Sequence, residues 1–148
     1  MALGPRRRAR IAALQALYEA DSSQHAALDA LQRISKTERL AEEPAAFALE
    51  LVEGVLARRE EIDRQIAAAA TAWPVDQLAP IDRNILRLAI REMLGDNGAP
   101  VRAIINEAVE LAKSFGSDNS AKFVNGVLGA IERQSREHGA GQAAANGR

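Results

Sequence analysis

Four arginines lie close together near the N-terminus, and these are the residues best suited to hold a polyanion: Arg6, Arg7, Arg8 and Arg10. Residues 1–18 contain no acid and carry a charge of +4, whereas the rest of the chain has 15 basic and 20 acidic residues. Guanidinium groups bind phosphate through paired hydrogen bonds and stack on exposed bases, which suits single-stranded RNA. The cluster predicts nucleic-acid contact, although a general arginine bias, with 16 Arg against 3 Lys, is the alternative explanation.

A second group of candidate residues lies where one predicted helix ends and another begins. Gly116 stands where a helix C-terminus often takes a left-handed residue. Ser117, Asp118 or Asn119 can then cap the next helix, whose free amides offer a place for a phosphate. This loop is therefore a second candidate site for RNA.

Two phenylalanines flank this loop. Phe115 falls on the apolar face of its helix, so the periodicity predicts that it is a core residue. Phe123 follows Lys122 in the first turns of the next helix. Periodicity alone favours a core position for Phe123, whereas an exposed ring beside a cation would be a stacking platform for a base.

Residues suited to catalysis or metal binding are sparse in this sequence. The chain has no cysteine, and His25 and His138 stand alone, so there is no His/Cys metal spacing and no thiol nucleophile. Acidic pairs such as Glu60 and Glu61 are adjacent, and adjacent side chains on a helix do not converge on one atom. We therefore expect no enzyme activity, no metal and no cofactor.

The composition indicates one all-α domain. Of the 148 residues 47% are hydrophobic and only 3% aromatic, and the abundant residue types are good helix formers. No apolar run approaches the ~18 residues of a membrane span, and no export signal is recognisable, so a cytoplasmic location is expected. Residues 139–148 are Gly, Ala, Asn, Gln and Arg, with nothing to bury in a core. This composition predicts a disordered tail that follows a domain over residues 1–138.

The apolar spacing predicts where the helices lie. Pro5 opens the first helix, and a glycine inside the third, Gly54, predicts close packing against a neighbour. The predicted helices cover about 6–20, 26–39, 44 to as far as 72, 81–94, 101–115 and a last segment from about 120, with a short turn or helix at 75–78.

Three sequence matches connect these features to a known family. They are Arg6-Arg7-Arg8-Ala9-Arg10 followed by Ala13, Gln15, Ala16, Leu17 and Tyr18; Asp82-Arg83-x-Ile85-Leu86-Arg87-Leu88-Ala89 followed by Glu92; and Ala103-x-x-Asn106-Glu107-Ala108-Val109-Glu110-Leu111-Ala112-Lys113-Ser114-Phe115-Gly116 running into Lys122-Phe123-Val124-Asn125-Gly126-Val127-Leu128. In these segments the chain resembles the NusB family of bacterial transcription antitermination factors. The resemblance extends from Arg6 to about Ile131 and is weakest over 22–43.

The resemblance implies a fold of about seven helices in two small bundles and a role without catalysis. It implies that the protein pairs with NusE, a small-subunit ribosomal protein, and that the pair binds the boxA element of nascent ribosomal RNA. The complex would join the antitermination machinery on RNA polymerase. Whether the free protein is a monomer or a homodimer is left open.

The resemblance also implies roles for particular residues. RNA contacts carry over to the arginine cluster, to Lys122 and to Phe123, with Asp118 and Asn119 beside them either in contact with RNA or as helix caps. NusE contacts carry over to Tyr18, Asp76 and Asp82.

Two other functions are compatible with the sequence. The chain could be a detached NusB-like RNA-binding domain of a ribosomal RNA cytosine methyltransferase, although it contains no α/β cofactor domain and no cysteine nucleophile. It could also be a helical protein-interaction module whose arginines only make one end soluble.

Overall fold

The computed structural model describes residues 3–95 and 98–146, with side chains described as far as Glu137. These ranges contain seven α-helices and one short 3-10 helix, which confirms the all-α prediction. The helices are α1 (Pro5–Ser22), α2 (Ala27–Thr37), α3 (Glu42–Ala57), α4 (Arg59–Ala69), the 3-10 helix (Val75–Gln77), α5 (Pro80–Leu94), α6 (Val101–Phe115) and α7 (Ser120–Asn146).

The helices pack as two groups that share one helix. Helices α1, α2 and α3 contact one another, and α4, α6 and α7 contact α5, which also packs on α1 and α3. Helix α5 is therefore the centre of the molecule, and every residue from Arg83 to Ile90 is buried. The largest fully buried side chains come from both groups: Leu14, Val52, Val55, Ile62, Ile66, Ile85, Leu86, Ile90, Val124 and Leu128.

The long third helix predicted from the sequence is two helices in the structure. Arg58 has non-helical dihedrals (φ −121°, ψ 24°) and separates α3 from α4. The break lets α3 pack on α1 while α4 packs on α7. Val55 and Ile62 are seven residues apart and both buried, so the apolar spacing continues across the break and conceals it.

A buried polar network holds the two helix groups together. Asp21, at the end of α1, accepts hydrogen bonds from Arg83 Nε (3.0 Å), Asn84 Nδ2 (2.8 Å) and Arg87 Nη1 (3.1 Å) of α5. Arg87 also donates two hydrogen bonds of 2.9 Å to Asp63 of α4. Burial by itself raises the pKa of Asp21, but the hydrogen bonds from Asn84 and Arg83 and the charges of both arginines outweigh it and lower the pKa. Arg87 of α5 thus binds carboxylates of both α1 and α4 and links the three helices.

Gly54 lies against the side chain of Arg91. A Cβ atom at Gly54 would lie 1.7 Å from Arg91 Nε, so only glycine leaves room for this arginine between α3 and α5. This confirms the close packing that the sequence predicts at Gly54. Arg91 continues outward to Glu50, with 3.6 Å between Nη2 and Oε1.

Helix α7 runs into the region where the sequence predicts a disordered tail, of which residues 147–148 lie outside the described residues. The backbone of α7 is helical to Asn146, whereas the tail expected to be disordered begins at residue 139. The domain boundary at 138 and the disorder of 139–148 stay predictions. None of the helices in the described parts of the chain combines the length and apolar character that a membrane span requires.

Candidate nucleic-acid interface

The first turns of α1 carry the arginine cluster, and its members have different surroundings. Arg6 is exposed, and its guanidinium carbon lies 4.0 Å from the centre of the Phe47 ring in a cation–π contact. Arg8 is also exposed and donates a hydrogen bond of 2.6 Å to the carbonyl oxygen of Glu38. Neither side chain is paired with a carboxylate of the described residues, so both charges face outward.

Arg7 is held by an acidic residue of α6. It donates two hydrogen bonds to Glu107, of 2.8 Å from Nη2 and 3.1 Å from Nε, and its side chain remains 40% exposed. The hydrogen bonds to Glu107 and its negative charge raise the pKa of Arg7, and the same contacts lower the pKa of Glu107. Arg7 therefore joins α1 to α6 and still presents part of its guanidinium to solvent.

Arg10 is buried, although the sequence predicts it as one of the arginines that contact RNA. It donates hydrogen bonds of 2.9 and 2.8 Å to the two oxygens of Glu92 on α5, and the side chains are only 10% and 3% exposed. The hydrogen bonds to Glu92 raise the pKa of Arg10 despite its burial. Arg10 lies one turn after Arg7 on the inner side of α1, between the buried residues Ala9 and Ala13, and so it points toward α5. In this structure it is part of the core, not of the exposed cationic surface.

The loop between α6 and α7 differs in two respects from the prediction. Phe115 is 38% exposed and lines an open groove with Tyr18 of α1 and Ile81 of α5. Gly116 has an extended backbone (φ −92°) and is not left-handed. Glycine is needed there because a Cβ atom would lie 2.4 Å from the Ser120 side chain, whose Oγ accepts a hydrogen bond from the Ser117 amide at 2.9 Å.

Asp118 and Asn119 are exposed on this loop. Neither side chain makes a hydrogen bond within the described part of the molecule, so neither acts as a helix cap through its side chain. Ser120 instead holds the turn. The two polar side chains are thus available to a ligand, next to the start of α7.

Phe123 and Trp73 line one groove. Phe123 is half-buried and packs against the core, whereas Trp73, between α4 and the 3-10 helix, is 62% exposed. Lys122 and Asn119 line the same groove, which has a volume of about 550 Å³. Trp73 is not among the residues that the sequence predicts to contact RNA. A large aromatic residue in a polar connecting segment is the signal that could have identified it.

The arginine cluster and this groove lie on two sides of α6. Glu107 of α6 holds Arg7, while the neighbouring residue Asn106 lines a groove with Asn125 and Gly126 of α7. Gly126 also lines the groove of Trp73 and Phe123. Arg7 is thus linked to this groove through α6 and the residue Gly126 of α7.

A third surface is apolar and lies at the other end of α1. Tyr18, 41% exposed, lines a groove of about 630 Å³ together with Ile81 and Phe115. Asp82, the next residue on α5, has a buried Oδ1 atom that accepts no hydrogen bond from the described residues. Asp76 is exposed on the 3-10 helix. An exposed aromatic ring beside an apolar groove is a feature of protein-binding surfaces.

Comparison with known proteins identifies the family. The model of the NusB family matches residues 7–133. The chain belongs to the NusB family. It is 48% identical over 128 residues to the transcription antitermination protein NusB of Dehalococcoides mccartyi, with 86% of this chain and 90% of the relative covered. It is 47% identical over 140 residues to NusB of Chloroflexus aggregans, with 89% and 93% covered.

Solved NusB structures have the same fold. A structure of T. maritima NusB matches with a TM-score of 0.82 and 33% identity and covers 89% of this chain and 93% of its own. A crystal structure of antitermination factors NusB and NusE in complex with dsRNA matches with a TM-score of 0.80 and 27% identity, covering 88% and 97%. These matches confirm the family and the fold inferred from the sequence.

Within this NusB-family fold, the predicted site residues divide into three groups. The start of α7 brings together Lys122, Phe123 and Asn119, and the structure adds Trp73 to them. The arginine cluster lies on the first turns of α1, with Arg10 withdrawn into the core. Of the residues expected to bind a protein partner, Tyr18 lines the apolar groove, Asp82 follows Ile81 of that groove on α5, and Asp76 is exposed on the 3-10 helix.

Proposed function

We propose that this chain is a transcription antitermination factor that binds the boxA element of nascent ribosomal RNA together with NusE. The observation that supports RNA binding best is the groove in which exposed Trp73, the Phe123 ring and Lys122 lie together. The guanidiniums of Arg6, Arg7 and Arg8 add positive charge on the first turns of α1. The protein acts by holding RNA and a partner rather than by catalysis, and we place it in the cytoplasm, where transcripts and RNA polymerase are found.

The groove suits unpaired nucleotides. Bases of any sequence stack on aromatic rings, and each such contact contributes ~1–3 kcal/mol to binding. Trp73 and Phe123 offer two rings, and Lys122 offers a charge to the phosphate between the stacked bases. Asn119 lines the same groove, and its amide can donate to and accept from a base edge.

The arginine cluster contributes charge to the same strand. Arg6 and Arg8 have no carboxylate partner in the described residues, and Arg7 keeps part of its guanidinium exposed while it binds Glu107. Four cations, these three and Lys122, are thus open to phosphate. For a single strand that contacts three or four of them, the logarithm of affinity falls with the logarithm of salt concentration at a slope of about −2 to −3.

The partner surface is the apolar groove at Tyr18. NusE would bury Tyr18 and Phe115 in this groove. Asp76, on the exposed 3-10 helix nearby in sequence, adds a negative charge that favours a basic partner.

A binding assay tests the RNA role. Affinity for a boxA RNA is measured by fluorescence anisotropy across a salt series, with and without NusE. Lys122→Ala should weaken binding and make the salt slope less steep by ~0.7. Lys36→Ala on α2 removes the same charge from an exposed position outside the groove and serves as the control. Affinity that does not change with salt, or that NusE does not improve, contradicts the proposal.

The NusE surface is tested separately. Tyr18→Ala and Asp82→Ala should each weaken NusE binding in isothermal titration calorimetry and leave binding of RNA alone unchanged. Leu49→Ala removes a similarly exposed apolar side chain from α3, outside the groove, and should leave NusE binding unchanged. If NusE binds both variants as tightly as the parent chain, this groove is not its site.

A further inference from the structure

A second groove on the α6–α7 face carries charge that no predicted site uses. It has a volume of about 560 Å³ and lies between the first half of α6 and the middle of α7. Its lining is polar and contains three arginines, two asparagines and one acid: Arg102, Arg133, Arg136, Asn106, Asn125 and Glu132. The groove is therefore positively charged.

The arginines of this groove are mostly free to bind a ligand. Arg102 and Arg133 are exposed and make no ion pair with any described residue. Arg136 lies 3.4 Å from Glu132, four residues earlier on α7, and remains 69% exposed. Such an exposed pair is weak, so it does not neutralise the groove. In contrast, Arg10 and Arg87 each donate two hydrogen bonds to a carboxylate.

Glycines leave part of the groove surface without side chains. A Cβ atom at Gly126 would meet no atom within 4 Å, so internal packing does not require glycine there. Glycine in the middle of a helix lowers stability, and one that packing does not require is typical of a place where another molecule approaches the backbone. Gly129, one turn later, lines the same groove beside Arg133.

Gly126 also connects this groove to the one that holds Trp73 and Phe123, because it lines both. Ten residues of α7 separate Phe123 from Arg133, a distance of ~15 Å along the helix. A strand stacked at Phe123 can continue across Gly126 and place its next phosphates among the arginines. Asn106 and Asn125 would lie beside its bases.

We propose that Arg102, Arg133 and Arg136 form a phosphate-binding extension of the RNA site, which holds the nucleotides adjoining those stacked on Trp73 and Phe123. The proposal rests on the proposed RNA-binding function and adds the path that the strand follows over the protein surface. The groove then makes affinity depend on the length of RNA flanking the bound element. It distinguishes a transcript that continues beyond the element from a short fragment.

The test compares two RNA lengths. One probe is the boxA element alone, and the others carry a six-nucleotide unstructured extension at the 5′ or the 3′ end. One of the two extensions should raise the affinity of the parent chain roughly three- to tenfold, the scale of two or three exposed charge pairs. It should also make the salt slope steeper by ~1.4, which corresponds to two further phosphates.

The double variant Arg102→Ala/Arg133→Ala should lose this gain and bind the short probe as the parent chain does. Lys36→Ala/Arg58→Ala removes the same charge from exposed positions outside both grooves and should keep the gain. Melting curves of both variants verify that the fold is intact.

The two proposals fail in different ways. If the parent chain does not bind the short probe, the proposed RNA function is wrong. If it binds the short probe but neither extension raises the affinity, or if the gain persists in Arg102→Ala/Arg133→Ala, the groove does not bind the RNA strand. A gain lost equally in Lys36→Ala/Arg58→Ala would show only non-specific attraction and would also overturn the proposal.

Discussion

Substitution of Arg10 separates a structural from an RNA-binding role within the arginine cluster. Arg10→Ala removes both hydrogen bonds to Glu92, a carboxylate whose side chain is only 3% exposed. Removing one partner of a buried ion pair costs ~3–5 kcal/mol. Because the Arg10 side chain is itself 10% exposed, water can reach part of the space it leaves. We therefore expect a loss of about 3 kcal/mol, at the lower end of that range.

This loss should be visible in thermal unfolding. For a domain of this size, 3 kcal/mol lowers the melting temperature by roughly 6–12 °C. The double variant Arg6→Ala/Arg8→Ala is the matched comparison, because it removes two exposed cations from the same helix. Its loss is mainly the contact of Arg6 with Phe47, and exposed cation–π contacts contribute ~0.5–1 kcal/mol.

RNA binding should show the opposite order. Well below its melting temperature, Arg10→Ala should keep the salt slope of the parent chain, because its guanidinium does not face solvent. Arg6→Ala/Arg8→Ala should make the slope less steep by ~1.4. An Arg10→Ala variant that melts like the parent chain but loses RNA affinity and salt dependence would refute the assignment of Arg10 to the core.

Three further predictions concern the aromatic groove, the packing between α3 and α5, and the network at Asp21. Trp73→Ala should weaken RNA binding by ~1–3 kcal/mol with little change in melting temperature. Phe123→Ala should weaken RNA binding by a similar amount and also lower the melting temperature, because that ring packs on the core. Calorimetry and melting curves check both variants. Gly54→Ala should destabilise the fold by ~1–3 kcal/mol in urea unfolding, because the new Cβ overlaps Arg91, and an unchanged midpoint would contradict this. The pKa of Asp21 is lowered in the folded state, so the ionised carboxylate stabilises the fold fully above its unfolded pKa of about 4. This stabilisation is lost as the pH falls further. Asp21→Asn should therefore make the free energy of unfolding, measured in urea from pH 7 to pH 2, less sensitive to acid.

Helix positions and core faces follow largely from the sequence. The run from Val101 to Phe115 is one helix in the structure, and Ile104, Ala108 and Leu111 are buried as their spacing predicts. The spacing fails where a helix bends between partners, as at Arg58, because two helices in line keep the same apolar period. It also fails at Phe115, which continues the apolar face of α6 but lines an open groove with Tyr18 and Ile81.

The candidate site was predicted in part. Lys122, Phe123 and the loop before them could be found because the family motif contains them, and the structure places Asn119 in the same groove. Trp73 could not be placed beside Phe123 from the sequence, since 50 positions separate them and no local pattern relates them. Their proximity depends on the packing of α4 against α7.

The sequence by itself determined that the chain is helical, which face of each helix is apolar, and that positive charge is concentrated before residue 19. These follow from local rules, because helix propensity and apolar spacing act over a few residues. The tertiary structure alone decided how each arginine is used. Arg10 and Glu92 are 82 positions apart and meet only because α1 packs on α5, whereas Arg6 and Arg8 remain at the surface of the same helix. The charge of a side chain is local information, but whether it is neutralised depends on what the fold brings against it.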